Sequence, residues 1–264
     1  MASSKLLSLA LFLVLLTHAN SATDTSFNFP SFHPDDPNLV LQCNATVSTK
    51  GQLQLTGVKS NELPRVDSMG RAFYSEPIKI VDSITGNVAN LDTNFTFIIR
   101  AKDPGNKAYG LAFALVPVGS QPKRKEQFLG LFNTANPEPD ARTVAVVFNT
   151  ASNRIEIDVN SISPVQTKSC DFDKYNGEKA EVHTTYDSSK NDLKVYLIFT
   201  ASKVWCNASA TVHLEKEVNS WVSVGFSATS GSKEETTETH DVLSWSFSSK
   251  FRNKLSNILL NQIL

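Results

Sequence analysis

Glu156 and Asp158, one residue apart, are the carboxylate pair best spaced for acid–base work. In an extended Glu156-Ile157-Asp158 run both side chains leave the same face, about 6–7 Å apart along the strand. Glycoside cleavage on such a strand calls for nucleophile, helper and acid in a Glu-x-Asp-x-x-Glu pattern, and the position three beyond Asp158 is Ser161. One carboxylate cannot act as both nucleophile and general acid, so the pair does not predict a glycosidase. His33, His183, His213 and His240 lack His-Glu-x-x-His spacing and stand beside no cysteine pair, which argues against zinc. His240-Asp241 resembles a base with its orienter. Neighbouring strand residues point to opposite faces, however, so His240 is expected to be a surface histidine. No Gly-x-Ser-x-Gly elbow occurs, and the Gly225–Gly231 stretch lacks the Gly-Lys-Ser/Thr of a phosphate cradle. No enzyme is expected, and no cofactor.

The remaining chemistry belongs to modification. Three acceptor sequons occur, at Asn44-Ala45-Thr46, Asn94-Phe95-Thr96 and Asn207-Ala208-Ser209. The cysteine count is odd: Cys170 and Cys206 each lie beside a predicted strand and form the expected pair, with Cys43 left free or capping an edge. None is expected to be reactive. Sequons and a disulfide both suit the secretory route, and residues 1–21 read as its signal peptide. Lys5 supplies the positive region, Leu6–Leu16 the apolar core, and Ala19 and Ser21 the small residues before cleavage, so the mature chain is expected to start at Ala22. The apolar run is too short to span a bilayer, which takes about 20 residues. Without Lys5, 24 basic side chains face 26 acidic ones, a balance that draws the chain to neither nucleic acid nor an anionic membrane.

Strands must position these groups. Sixteen Phe and many Val, Ile and Thr favour them. Phe95, Phe97 and Ile99 alternate with Asn94, Thr96 and Arg100; Leu193, Val195, Leu197 and Phe199 alternate with Lys194 and Tyr196; Leu243, Trp245 and Phe247 alternate with serines. Turn signals such as Asp103-Pro104-Gly105, Asn176-Gly177 and Ser230-Gly231 separate the runs, with no intervening helical pattern. Two antiparallel sheets face to face, in one domain over residues 22–250, are the natural solution. Residues 251–264 read as a tail, either a short amphipathic helix or an extension trimmed after synthesis.

Five stretches resemble legume lectins: Tyr109–Pro117 (YGLAFALVP), Phe128–Phe132 (FLGLF), Thr143–Thr150 (TVAVVFNT), Ile157–Ile162 (IDVNSI) and Trp221–Phe226 (WVSVGF). The wording is nearest to the arcelin branch, relatives of phytohaemagglutinin and of bean α-amylase inhibitors. The resemblance implies a jelly-roll β-sandwich with a flat back sheet and a curved front sheet. In metal-binding members the Thr143–Thr150 strand carries a glutamate at the position of Val147 and an aspartate at that of Asn149, followed by a long calcium loop ending in a histidine. Here valine cannot ligate, neutral Asn149 is a poor bridge between cations, the loop shrinks to Asn149–Arg154, and Arg154 stands where the histidine would be. Ser161 is a shared, peripheral position that cannot rescue the site. No metal is expected.

The family's sugar site depends on that metal, through an aspartate held by a cis peptide before Gly-Leu-Ala-Phe. Here the position is Tyr109, which can stack on a sugar but not accept as a fixed carboxylate does, so Ala108–Tyr109 is expected to be trans. A glycine donor of the family aligns with Glu126 or Gln127. The resemblance therefore implies an arcelin-like seed storage and anti-insect defence protein, kept in seed storage vacuoles and lacking metal-dependent monosaccharide binding. Two alternatives are an α-amylase-inhibitor-like protein, for which Tyr175, Tyr186 and Tyr196 are the available aromatics, and a weak metal-independent lectin. Complex glycans or insect gut glycoproteins are the partners it implies; the oligomeric state is not legible.

Overall fold

The computed structural model describes residues 24–106 and 108–251. The expected signal peptide, and the tail beyond Phe251, lie outside the described residues. Within them the chain folds as two eight-stranded antiparallel sheets. The back sheet runs in the order β14 (Trp205–Thr211), β13 (Asp192–Phe199), β12 (Lys179–Asp187), β7 (Asn90–Ala101), β16 (Glu238–Lys250), β4 (Leu53–Gln54) and β3 (Thr46–Val47), with β1 (Thr25–Phe29) also on β16. The front sheet runs β11 (Gln166–Ser169), β10 (Arg154–Val159), β9 (Val144–Asn149), β8 (Gly110–Pro117), β15 (Trp221–Thr229), β5 (Met69–Tyr74) and β2 (Leu39–Cys43), with β6 (Ile78–Lys79) also on β15. One short helix, α1 (Leu214–Glu217), leads into β15.

The period-two pattern sorts side chains as the sequence implies. On β7, Leu91, Thr93, Phe95, Phe97 and Ile99 are buried between the sheets while Asp92 and Asn94 are exposed. Phe95, Phe113, Phe148, Phe226 and Trp245 form an aromatic centre, with ring centroids 4.9–5.9 Å apart in pairs such as Phe95–Phe226, Phe95–Phe148 and Phe226–Trp245. Each such ring contributes about 1.5–3 kcal/mol by leaving water. The alternation fails at one place. A register shift between Val242 and Ser244 leaves Leu243 bulged, so Val242, not Leu243, joins Trp245 and Phe247 in the core.

The front sheet is apolar on both faces. Leu111, Phe113 and Leu115 on β8 and Val144, Val146 and Phe148 on β9 face the back sheet. The alternate residues Ala112, Ala114, Val116, Ala145 and Val147 face a second core, closed by Phe128, Leu129, Leu131 and Phe132 from the 123–132 loop. This second layer decides what the outer face of β9 and β10 can do. Cys170 and Cys206 form a disulfide that ties the segment after β11 to β14, while Cys43 is free and exposed at the end of edge strand β2.

Candidate functional site

β9 and β10 form a hairpin whose register sets Val147 opposite Glu156, Asn149 opposite Arg154 and Ala145 opposite Asp158. All of these point to the outer face of the front sheet. Asn153 closes the turn with φ of 52°, a left-handed conformation that asparagine tolerates. Its peptide N–H donates back to Thr150 O at 3.4 Å.

The polar groups near the tip of this hairpin, Asn149, Ser152 and Glu156, satisfy one another. Asn149 Nδ2 donates to Glu156 Oε2 at 3.0 Å, the Ser152 hydroxyl donates to Glu156 Oε1 at 3.1 Å, and Ser152 N donates to Asn149 Oδ1 at 3.0 Å. Both oxygens of Glu156 are thereby engaged. Val147 is 3% exposed and packs in the second core rather than facing an open site. Asp158 is buried, its Oδ1 has no hydrogen-bond partner, and burial followed by the nearby Glu156 charge pushes its carboxyl well above the usual carboxylate range. Ser161 lies beyond β10, where its hydroxyl accepts from Ser163 N at 3.0 Å.

Two hard or borderline cations require several charged oxygen donors or imidazoles converging on one cavity. The residues present do not fit that requirement. Val147 offers no donor, Asn149 and Glu156 are spent on each other, burial favours the neutral form of Asp158, and Arg154 is a cation on the same hairpin. Among the described residues no group of three or more His, Cys, Asp or Glu is placed to hold a metal ion.

Tyr109 stands immediately before β8, beside this hairpin. Gly110 has φ of 91°, and a Cβ there would lie 2.0 Å from Phe148 O, so the chain enters β8 through a position only glycine fills. Ala108–Tyr109 is trans, as is every peptide bond among the described residues. Tyr109 packs half-buried against the second core, and burial followed by the Glu126 charge raises its hydroxyl above the ordinary value. Glu126 is part of the 123–132 loop, which is pinned to β15: Thr229 Oγ1 donates to Glu126 O at 2.7 Å and Ser227 Oγ donates to Leu129 O. Gln127 is exposed beside it. The degenerate sugar positions Tyr109 and Glu126 are thus neighbours, next to the degenerate metal positions.

Beneath them lies a network that sequence reasoning missed. Glu238 is fully buried, and its Oε1 accepts from Gly110 N at 2.8 Å and Thr150 Oγ1 at 2.8 Å, with His240 Nε2 3.0 Å away. His240 Nδ1 lies 3.0 Å from Thr56 Oγ1, so a proton on Nε2 lets the ring donate to Glu238 and accept from Thr56. His240 is therefore not a surface histidine: it is 0% exposed, because it shares the face of β16 that carries Val242 into the space between the sheets. One buried carboxylate holds together the entrance to β8, the end of β9 and β16. The alternation of β16 was the available signal, but nothing in the sequence names Gly110 as the partner.

The three tyrosines considered for enzyme inhibition do not meet. Tyr186 is buried and donates to Val212 O at 3.0 Å, Tyr175 packs on Phe199, and Tyr196 is exposed on the back sheet. The sequon asparagines Asn44, Asn94 and Asn207 are all exposed. Asn44 Oδ1 also accepts from Ser68 Oγ at 3.2 Å and from Met69 N at 3.4 Å.

Residues 24–261 match the legume lectin domain, and the chain belongs to the legume lectin family. It is 75% identical to Arcelin-5A of Phaseolus vulgaris over 264 residues, covering all of both chains. Alpha-amylase inhibitor 1 of the same species is 51% identical over 270 residues, covering all of this chain and 99% of that one. The solved structure of arcelin-5, a lectin-like defense protein from Phaseolus vulgaris, superposes with a TM-score of 0.85 at 71% identity, over 87% of this chain and 100% of that one.

Proposed function

We propose that this protein is a non-enzymatic, lectin-like defence protein of the arcelin kind that has given up the metal-dependent monosaccharide site. The observation that carries the reading is the state of the β9–β10 hairpin. Val147 is sealed in an apolar core, and the one fully hydrogen-bonded carboxylate, Glu156, is tied to Asn149 and Ser152. The high identity to arcelins and the lectin-like defence role printed for arcelin-5 support the defence reading. Deposition in the storage vacuoles of seeds, toxicity to seed-eating insects, and contact with complex glycans or gut glycoproteins complete the proposal. A compact sandwich with a disulfide would slow digestion, because proteolysis needs local opening.

The test has two arms. Purified protein is dialysed against calcium and manganese and assayed for retained metal and for monosaccharide binding by calorimetry; the expected result is neither. Stoichiometric metal together with simple-sugar binding would overturn the reading of the site. Separately, the protein is added to the artificial diet of seed-beetle larvae and its survival in midgut extract is timed. Normal larval growth with rapid loss of intact protein would overturn the defence reading.

A further inference from the structure

The outer face of the back sheet carries a trough of about 440 Å3, within the range of ligand sites. Its geometry follows from strand register. Asn207, Tyr196, His183, Asn94 and Ser246 are successive cross-strand partners on β14, β13, β12, β7 and β16, and so form one transverse row. The next row is Trp205, Ile198, Glu181, Thr96 and Ser244. The trough lies across these two rows. Its β13–β14 side is walled by aromatic surface: Tyr196 is 48% exposed and Trp205 67% exposed, the latter unusual for so large a ring. Ile198 adds apolar surface beside Trp205, and His183, Glu181 and Ser246 supply polar side chains along the rest of the two rows.

We propose that the occupant of this trough is the chain's own oligosaccharide, attached at Asn94, with its first two N-acetylhexosamine rings lying over His183 and stacking on Tyr196 and Trp205. Asn94 itself lines the trough and its sequon hydroxyl, Thr96, sits in the adjacent row, so the occupant is supplied covalently at the site. From β7 to β14 is three strand spacings, about 14 Å, a reach suited to an asparagine side chain bearing two sugar rings. Sugar rings present an apolar C–H face and polar edges, matching an aromatic wall with polar side chains such as His183 and Glu181 beside it. In the opposite direction the row ends on Ser246 and Asn28, which offer no aromatic surface. Asn207 ends the same row on the edge strand, outside the trough. Attachment uses a lipid-linked diphospho-oligosaccharide as donor. The Asn94 Nδ2–C1 bond forms, the C1–O bond to the diphosphate breaks, and the amide proton and lipid diphosphate depart, with no change in oxidation state. The inference rests on the secretory route of the Proposed function.

The test uses full-length protein made in a eukaryotic secretory host. Trp221→Phe provides the background, because Trp245 is buried and Trp205 is then the exposed indole. Peptide mass spectrometry reads occupancy, and acrylamide quenching reads the cover on Trp205. Glycan on Asn94 is expected to lower quenching about twofold, since a ring laid on one face of an indole shields about half of it. Thr96→Val, which removes the sequon while keeping a β-branched side chain, is expected to restore full quenching; Ser209→Ala, which removes the Asn207 sequon, is expected to leave it low. Tyr196→Ala is expected to restore part of the quenching with Asn94 still occupied. If Ser209→Ala exposes Trp205 and Thr96→Val does not, the Asn207 sugar is the cover and the proposal fails. If Asn94 is bare while another sequon is occupied, the proposal fails and the secretory route stands. A chain retained in the cell with its leader intact and no sugar overturns both.

Discussion

Valine 147 is the residue whose replacement separates a lost metal site from one merely unfilled. Val147→Glu returns the side chain that metal-binding relatives carry on this strand. In this fold the new carboxylate would enter the second core, where the position is 3% exposed, directly across from Glu156. The change removes about 1.5–3 kcal/mol of apolar burial. It also leaves a buried charge without a partner, which costs about 3–5 kcal/mol, and like charges opposite one another on paired strands add to that. A net loss of about 4 kcal/mol or more lowers the melting temperature by about 8–16 °C in a domain of this size. The inserted acid has a raised pKa in the fold, so the folded state holds its proton more tightly than the unfolded one. The destabilisation is therefore limited to the lost apolar packing below about pH 4 and grows as pH rises through the folded value. Thermal unfolding followed by circular dichroism, at acid and neutral pH and with EDTA, calcium or manganese, checks all of this. A melting temperature within about 2 °C of the parent would refute the packing argument. A metal-dependent gain would refute the argument about the site: 1 mM ion on a site of 10 μM affinity adds about 2.7 kcal/mol.

Two further outcomes follow from buried groups. Burial and Glu156 raise the Asp158 carboxyl, so its favourable contribution is present below about pH 4 and is lost as pH rises through its folded value; Asp158→Asn should leave stability at low pH nearly unchanged and increase it toward neutrality, by about 1.4 kcal/mol per unit of upward displacement, and urea melts across pH that show an equal loss throughout would contradict this. The Cys170–Cys206 bond closes a loop of 36 residues, so replacing both cysteines by serine should cost about 4 kcal/mol by loop entropy, read as a lower urea midpoint insensitive to dithiothreitol.

What the sequence made legible, and what it hid, divides along the range of the interactions concerned. Alternation on β7 and β13 placed Phe95, Phe97, Val195 and Leu197 inward because one sheet face touches water and the other does not, and a period of two records that directly. The same logic marked Val147 and Asn149 as co-facial before any coordinates. It could not show that Val147 is sealed, because the lid over it comes from Phe128–Phe132, some fifteen residues away in the chain and on no strand of the sheet. His240 was misplaced for a related reason. Its neighbour Asp241 holds Arg100 at 2.9 Å on the opposite face, as alternation requires; His240 itself shares the inward face of β16 with Val242, two residues on and before the bulge, so it points between the sheets and not to water. The bulge at Leu243 then shifts the alternation within the same strand. Most of the hidden architecture converges on Glu238, which reaches Gly110 across 128 residues and Thr150 across 88. Hydrogen-bond donors from two distant segments leave no periodic trace. They do fix the peptide that follows Tyr109 and the end of β9, so a buried carboxylate sets the backbone around the Tyr109 position.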